Sequence, residues 1–512
     1  MLKNDLKAVE DIAPPPGQSV WQQPFLWGLA LPAVVFLAQA IYLWGFTIDD
    51  VAISYRYALH LADGKGLAWN PGGAPVEGYS NFLWVLILAA VKWIGLDIET
   101  AAGVSGVGLG MFCLVLGFLL CRELWAPRRF WWLPVLLVAL TPEWTMWIIS
   151  GLEIALFCTL VLLSLLGLAS KNPARQRLLL IALPGLVLTR PEGLAMAGIV
   201  LACGVLAEHG SARKRIVTWA APILVVLGTV VGLLIFRLVY FGSPLPNTVY
   251  AKFSGSLPSL RQVGDWLIFG IPFLLAWGVA LLGRRDLRHP WTLAAAFALV
   301  ICQMLVVLPV IPVMYFLHRY QIAFLPFLVL PVPFLLERIS RSKRWIVPAM
   351  VAIMVTWTLN EWPQADIWYQ SEKYWKQTRR EVAGYLAPLP RNATVALIDA
   401  GFIPYWTDLS ALDVWGLCDR SAAREGFSVA ATLERNPEVY VMAVRIGDDN
   451  RLEPQQGRDR LIVKSPGFLE RYGIWRICGQ PREVGSRSYD GYAIFLNEAW
   501  AKEHGITAPA QP

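Results

Sequence analysis

The feature that most constrains this chain is a series of apolar runs of roughly membrane-crossing length, separated by short connectors that alternate between basic and nearly uncharged. The basic connectors are RELWAPRR (122–129), KNPARQR (171–177), ARKR (212–215), GRRDLR (283–288) and RISRSKR (338–344). Between them fall EWTMWIISGLE (143–153), TRPEG (189–193), FGSPLPNTVYAKFSGSLPSLRQ (241–262) and FLHRY (316–320), where Arg190, Lys252, Arg261 and Arg319 are the basic residues. Lys and Arg in short loops mark the cytoplasmic side. Spans near 24–45, 101–121, 130–149, 154–170, 178–189, 192–207, 216–240, 264–282, 291–311, 320–337 and 346–360 satisfy that rule, eleven crossings in all. The expected fold is a polytopic α-helical membrane protein of about 11 transmembrane helices with a C-terminal extracytoplasmic α/β domain.

Composition agrees, since 56% of the 512 residues are hydrophobic and only 16% charged, which is too apolar for a soluble protein. Residues 1–23 read as a disordered cytoplasmic tail, 24–360 as the membrane domain and 361–512 as a periplasmic domain. That places the protein in a bacterial inner membrane as a multi-pass protein, with its site on the periplasmic face. The net charge of +7 sits mostly in connectors outside the last domain, a topology signal that excludes a nucleic-acid surface. GYSNFLWVLILAAVKWIGLD (78–97) does not fit as a crossing, because counting it would invert every later basic loop, so it is read as an interfacial helix. Residues 46–100 then form one external loop.

That loop begins with FTIDDVAISYRYA (46–58), where two adjacent carboxylates stand at the bilayer edge. Thr47 or Asp49 can cap the following helix, and Gly64 can close it. On such a helix Asp49, Ile53, Arg56 and His60 share a face. One carboxylate suffices as a cap, so the second needs a partner or a task. A helix turns about 100° per residue, so both cannot face one hydroxyl. One is expected to act as base while the other caps a helix or orients a neighbour such as Arg56.

The polar stretches that topology does not explain all fall on the same expected outer side. They supply carboxylates at Asp49, Asp50, Glu77, Glu153 and Glu192, cations at Arg56, Arg190, Lys252 and Arg319, and aromatic rings at Tyr55, Tyr79, Tyr250 and Tyr320. Asn70, Asn81, Asn247 and His318 complete the polar inventory. Rings suit a sugar face and cations suit a phosphate. Outside the cytoplasm a lipid phosphate is the natural sugar carrier. Its departure calls for cations such as Arg190, Lys252 or Arg319, and the acceptor hydroxyl calls for a carboxylate base, Asp49 or Asp50. Inversion by single displacement follows. No cofactor is required, no metal is assigned, and a divalent cation at the acidic pair is left open.

These motifs, in the order FTIDDVAISYRYA, GLAWNPGGAPVEGYSNFLW, SGLE, LTRPEG, FGSPLPNTVYAKF, HRY, DAGFIPYW and DVWGLCD, resemble the bacterial terminal β-(1→2)-arabinofuranosyltransferase family of mycobacteria and corynebacteria. They are also similar to the related transferases that modify type IV pilin in pseudomonads. The resemblance runs from residue 46 to about 420. It implies a GT-C glycosyltransferase using decaprenyl-phosphoryl-arabinofuranose, with a catalytic Asp in the first external loop matching Asp49 or Asp50. The acceptor, cell-wall arabinan or a glycoprotein, differs between branches. Transfer of mannose or aminoarabinose from a polyprenyl phosphate is the alternative within the same class, and a multi-span transporter the alternative outside it. A transporter should carry charges inside its spans rather than at one interface.

In the last domain ATVALIDAG (393–401), EVYVMAV (438–444), RLIVK (460–464) and YAIFLN (492–497) read as strands, and SEKYWKQTRREVAGYL (371–386) as a helix. Asp399, Tyr405 and Trp415 are candidates to face the membrane site and guide an acceptor. Cys418 and Cys478 are both external, which leaves a disulfide between them open. A monomer is expected, embedded in the bilayer and partnered by its lipid-linked donor and acceptor.

Overall fold

The computed structural model describes residues 25–506 apart from 127–129, 171, 253–259, 284–286, 308–315, 344, 447–451, 480–481, 485–486 and 490. The expected N-terminal tail, 1–23, lies outside the described residues. Among the described residues three helices are long and apolar enough to cross a membrane: Ile98–Trp125, Ala212–Phe241 and the segment Ile322–Arg341. Shorter apolar helices accompany them at Leu26–Tyr42, Ile154–Ala169, Gly193–Ala207, Leu267–Leu282 and Pro290–Val306.

The stretch 130–149, expected as one span, is instead two short helices, Leu133–Leu140 and Pro142–Ile148. Pro142 cannot donate to the preceding turn and stops the first helix at Thr141. All residues of the second helix are buried, Glu143 among them. Residues 82–93 form a helix of 12 residues, short for a crossing.

In the loop 46–100 the helix covers Val51–Ala62, and neither acid caps it with its side chain. Thr47 does not cap it either, since its buried hydroxyl finds no partner. Gly64 does sit just beyond the helix end at φ +76°. The Asp49 carboxylate reaches across the molecule instead. It accepts hydrogen bonds from the amides of Gly401 (2.7 Å) and Phe402 (3.0 Å), at the start of the helix Phe402–Thr407.

The C-terminal part holds a six-stranded mixed sheet of β1 (Thr394–Leu397), β2 (Ser410–Asp413), β3 (Val439–Ile446), β4 (Leu452–Pro454), β5 (Tyr472–Cys478) and β8 (Gly491–Asn497). Their order is β2-β1-β3-β8-β5, with β4 paired to β3, and β6 (Arg482–Val484) and β7 (Arg487–Tyr489) form a separate hairpin. β1 runs parallel to β2 and β3, while β8 is antiparallel to β3 and β5. Three of the expected strands are present. The fourth is corrected: RLIVK lies in a helix, Gly457–Val463, with Ile462 buried and Leu461 exposed. A short apolar run fits either period, and here the helical one buries the isoleucine. Cys418 and Cys478 are both free thiols.

The long helix Trp362–Leu386 leads into this part and packs against β8 and the Phe402–Thr407 helix. It carries Arg379, which lies in ion-pair range of Asp49 (3.3 Å), Glu372 (3.5 Å) and Asp399 (3.5 Å) and donates to the Tyr492 hydroxyl (3.1 Å). Gly401 is needed for this approach, because a Cβ there would run into the Asp49 carbonyl and carboxyl carbon. Gly401→Ala is therefore expected to cost about 1–3 kcal/mol through forced displacement of tightly packed backbone, read as a lowered thermal midpoint of the purified protein. An unchanged midpoint would mean the clasp between the two parts contributes little.

Candidate functional site

The acidic pair divides its partners. Asp49 faces the C-terminal part, whereas Asp50 faces a polar cavity of about 60 Å³ lined by Ser54, Tyr79, Asn81, Glu153, Arg190, Lys252, Arg319 and Tyr320, with Ile53, Gly78, Ser80, Leu152, Thr248 and Leu417. That volume holds a few water molecules. Arg319 donates to the Asp50 carboxylate at 2.9 Å. Burial works against the Asp50 anion, but Arg319 and then Lys252 outweigh it and hold the carboxyl below its usual range. Among the described residues Lys252 makes no salt bridge, so its ammonium is uncommitted toward the cavity.

Arg190 is held on the far wall between Glu153 and Glu192, each at 2.6 Å. Glu153 also accepts from Asn81 (2.8 Å), which in turn bonds the Ser54 hydroxyl. Tyr320 lies beside both guanidiniums, at 5.9 Å from Arg190 and 5.6 Å from Arg319. The hydroxyls of Tyr79 and Tyr320 are buried without a hydrogen-bond partner among the described residues. Two such hydroxyls in a polar cavity are what a polar ligand would satisfy.

Eight of the candidate residues thus line one cavity: Asp50, Tyr79, Asn81, Glu153, Arg190, Lys252, Arg319 and Tyr320, with Glu192 behind Arg190. Several others are placed elsewhere and their expected roles are corrected. Arg56, read as a phosphate ligand, is 1% exposed and spends its donors on the carbonyls of Trp69 (2.8 Å), Pro404 and Leu409 (2.8 Å). Asn70 pairs with both backbone groups of Ala411 (2.9 and 3.0 Å), imitating a strand neighbour. The Asn247 amide donates to the carbonyls of Gly416, Leu417 and Asp419 at 2.9–3.0 Å. Glu77 is taken by Arg237 in a fork at 2.9–3.1 Å. Tyr55 packs against Phe402 and Tyr405, Tyr250 lies under Arg424, and Trp415 lies under Arg458. Asp399 belongs to the Arg379 cluster, where it accepts from the Tyr492 hydroxyl. His318 turns to Glu143 at 3.0 Å, away from the cavity that its neighbour Arg319 lines.

Sequence reasoning missed Ser54, Thr248 and Leu417 as cavity residues. The signal for Ser54 was helical spacing, since it lies one turn on from Asp50. Leu417 reaches the cavity because Asp413 accepts from the amides of Trp415 (2.9 Å), Gly416 (3.0 Å) and Cys418 (2.7 Å), folding DVWGLCD into a tight turn. Burial pushes the Asp413 carboxyl up to about 6 against those three bonds.

The chain superposes on the crystal structure of ArnT from Cupriavidus metallidurans bound to undecaprenyl phosphate with a TM-score of 0.58 at 14% identity, over 93% of this chain and 99% of ArnT. Apo ArnT gives 0.56 at the same identity and coverage. The cryo-EM structure of the arabinofuranosyltransferase AftD from mycobacteria gives 0.50 at 15% identity over 92% of this chain, which spans 41% of AftD. Likeness at these identities shows the fold, that of the GT-C membrane glycosyltransferases. Residues 365–495 match a family model described as a domain of unknown function, DUF8728. No curated protein sequence matches the chain.

The Arg379 cluster gives a pH dependence. Burial, opposed by Arg379, pushes Asp49 up to about 6 and Glu372 up to about 7. The folded state then binds more protons than the unfolded one between the ordinary carboxyl range and about 7, so this stabilisation is complete below that window and is lost as pH rises through it. The thermal midpoint is expected to fall between pH 5 and pH 8, and Glu372→Gln to flatten that slope. A midpoint that rises over the same interval would contradict the assignment.

Proposed function

We propose that the protein is an inverting GT-C glycosyltransferase that moves D-arabinofuranose from a polyprenyl-phosphate donor, decaprenyl-phosphoryl-arabinofuranose, to a hydroxyl of an extracytoplasmic acceptor such as cell-wall arabinan. The observation that carries this reading is the separation of the acidic pair: Asp50 alone faces a cavity that also holds Arg190, Lys252 and Arg319. The fold it shares with ArnT, a protein solved with undecaprenyl phosphate in place, supports a lipid-phosphate carrier. The multi-pass chain sits in the bacterial inner membrane with this cavity on the periplasmic side.

In the proposed step the acceptor oxygen attacks the anomeric carbon as the bond from that carbon to the phosphate oxygen breaks. The acceptor proton passes to Asp50, and the electron pair leaves with the phosphate. Lys252 and Arg319 receive the developing charge. Arg190 is already neutralised by two carboxylates, so its part is to hold Glu153 and the Tyr320 ring in place. The resting Asp50–Arg319 pair makes Asp50 a poor base. A phosphate that draws Arg319 to itself removes that pairing and restores basicity where the acceptor hydroxyl arrives.

The sugar is the open variable, and the second reading is transfer of mannose or aminoarabinose from the same kind of carrier. It is favoured by the end-to-end match to ArnT, against a match to two fifths of AftD. Purified protein offered synthetic arabinofuranosyl, mannosyl and aminoarabinosyl polyprenyl phosphates with an acceptor is expected to consume the first. Asp50→Asn should lose about 10²–10⁴ in rate while still binding donor. Asp49→Asn should lose stability, with a much smaller loss of turnover per folded molecule than Asp50→Asn. Consumption of only another sugar would keep the class and refute arabinofuranose; a fully active Asp50→Asn would remove the base.

A further inference from the structure

Glu143, His318 and Glu361 stand together outside the cavity described above, and the proposed transfer uses none of them. Glu143 opens the buried helix Pro142–Ile148 and is itself 1% exposed. One of its carboxylate oxygens lies 3.0 Å from His318 Nδ1. Glu361 precedes the helix Trp362–Leu386. One ligand atom from each residue lies within 4.8 Å of the other two. The three open onto a second cavity of about 430 Å³, walled by Phe269, Phe316, Trp357 and Trp368, with Asn360 and Gln364 as its other polar side chains. Among the described residues neither Lys nor Arg lines it.

Two carboxylates held this close repel one another, and the His318 imidazole can offset one of them at most, so a partly buried pair of anions needs a further counter-charge. One imidazole and two carboxylates form a donor set for a divalent transition ion, and the adjoining space leaves room for water as a further ligand. We propose that Glu143, His318 and Glu361 bind a divalent transition-metal ion of the zinc class. At metal–ligand distances of about 2.0–2.2 Å the donor atoms must close to roughly 3.4 Å of one another. Rotation of Glu361, which is half-buried at the rim, supplies that movement.

The backbone gives the ion a structural task. Leu317 and His318 are both left-handed, at φ +46° and +50°. Neither is glycine, so each costs on the order of 1–2 kcal/mol. This turn sends His318 to the carboxylates and Arg319 to Asp50, so an ion on His318 would fix the loop that delivers Arg319 to the transfer cavity. The binding itself does not depend on the proposed transfer.

Untagged full-length protein in detergent, stripped with chelator, is titrated with Zn²⁺ and, as an optical probe, Co²⁺. About one ion per chain is expected, with a raised thermal midpoint. Glu361→Gln and His318→Asn, the latter chosen because Asn tolerates the left-handed backbone, should each weaken binding at least tenfold and abolish the midpoint gain, while unfolding like wild type in chelator. Asp50→Asn should bind as wild type does. If the wild type takes up no ion, or if Glu361→Gln binds as tightly as wild type, the His318–Glu143 contact is an ion pair only and the proposal falls.

Discussion

Arg379 is the group on which the arrangement depends. A buried guanidinium is costly unless its charge is matched, and here it serves Glu372 and Asp399 from its own part of the chain and Asp49 from the membrane part. Asp49 is doubly committed, because the same carboxylate receives the first amides of the Phe402–Thr407 helix. Asp50 is the next residue, so fixing one side chain on the C-terminal part aims the other into the cavity. The direction of the proposed base is thus a consequence of domain docking. Arg56, Asn70 and Asn247 work the same way, each sending donors from the membrane part to carbonyls between Pro404 and Asp419. A contact made of directed hydrogen bonds tolerates little sliding, which is what a site built from both parts needs.

Charge in the cavity that Asp50 lines is close to balanced in the structure. Three cations line it with two carboxylates, and Glu192 stands behind Arg190. Balance keeps the empty site from carrying a large desolvation penalty. It also sorts the cations. Arg190 is locked between two acids at 2.6 Å, whereas Arg319 holds one acid and Lys252 forms no salt bridge among the described residues. In the proposed transfer an incoming phosphate would compete with one carboxylate at most, Asp50, the one that would gain basicity by losing its partner.

The membrane class, three strands of the sheet and the polar loops of the site were legible in the sequence, because apolar run length, short-range alternation and loop charge are local properties. The assignment within the acidic pair was not, since Asp49 is decided by amides 352 and 353 residues away. Arg56, Asn70 and Asn247 were read as ligand-binding for a related reason. A polar side chain in an external loop looks the same whether its partner is a sugar or the backbone of another domain. RLIVK failed because five residues carry too little periodicity, and the break at Pro142 was hidden by the apolar residues on both sides. The resemblance pointed to the carboxylate pair as a whole; only the fold separates the surroundings of its two members.

The loop 316–320 shows how this fold builds chemistry from short turns rather than helix faces. Side chains three or four apart on a helix share a face, so a helix delivers like-directed groups to one place. Adjacent residues that must serve two cavities need a backbone that reverses within one step. Leu317 and His318 supply this in the left-handed region. The strain is held by the surroundings: Trp147 Nε1 donates to the Leu317 carbonyl at 2.8 Å, and the amides of Gln321 and Ile322 return to the His318 carbonyl at 2.8 Å. Trp147 also lies under the Arg319 guanidinium, at 5.7 Å. One indole therefore fixes the turn by hydrogen bond and the cation by its ring, and it lies on the short helix that Pro142 begins. The interruption that costs this segment its length as a span places that indole, and with it the arginine that faces Asp50.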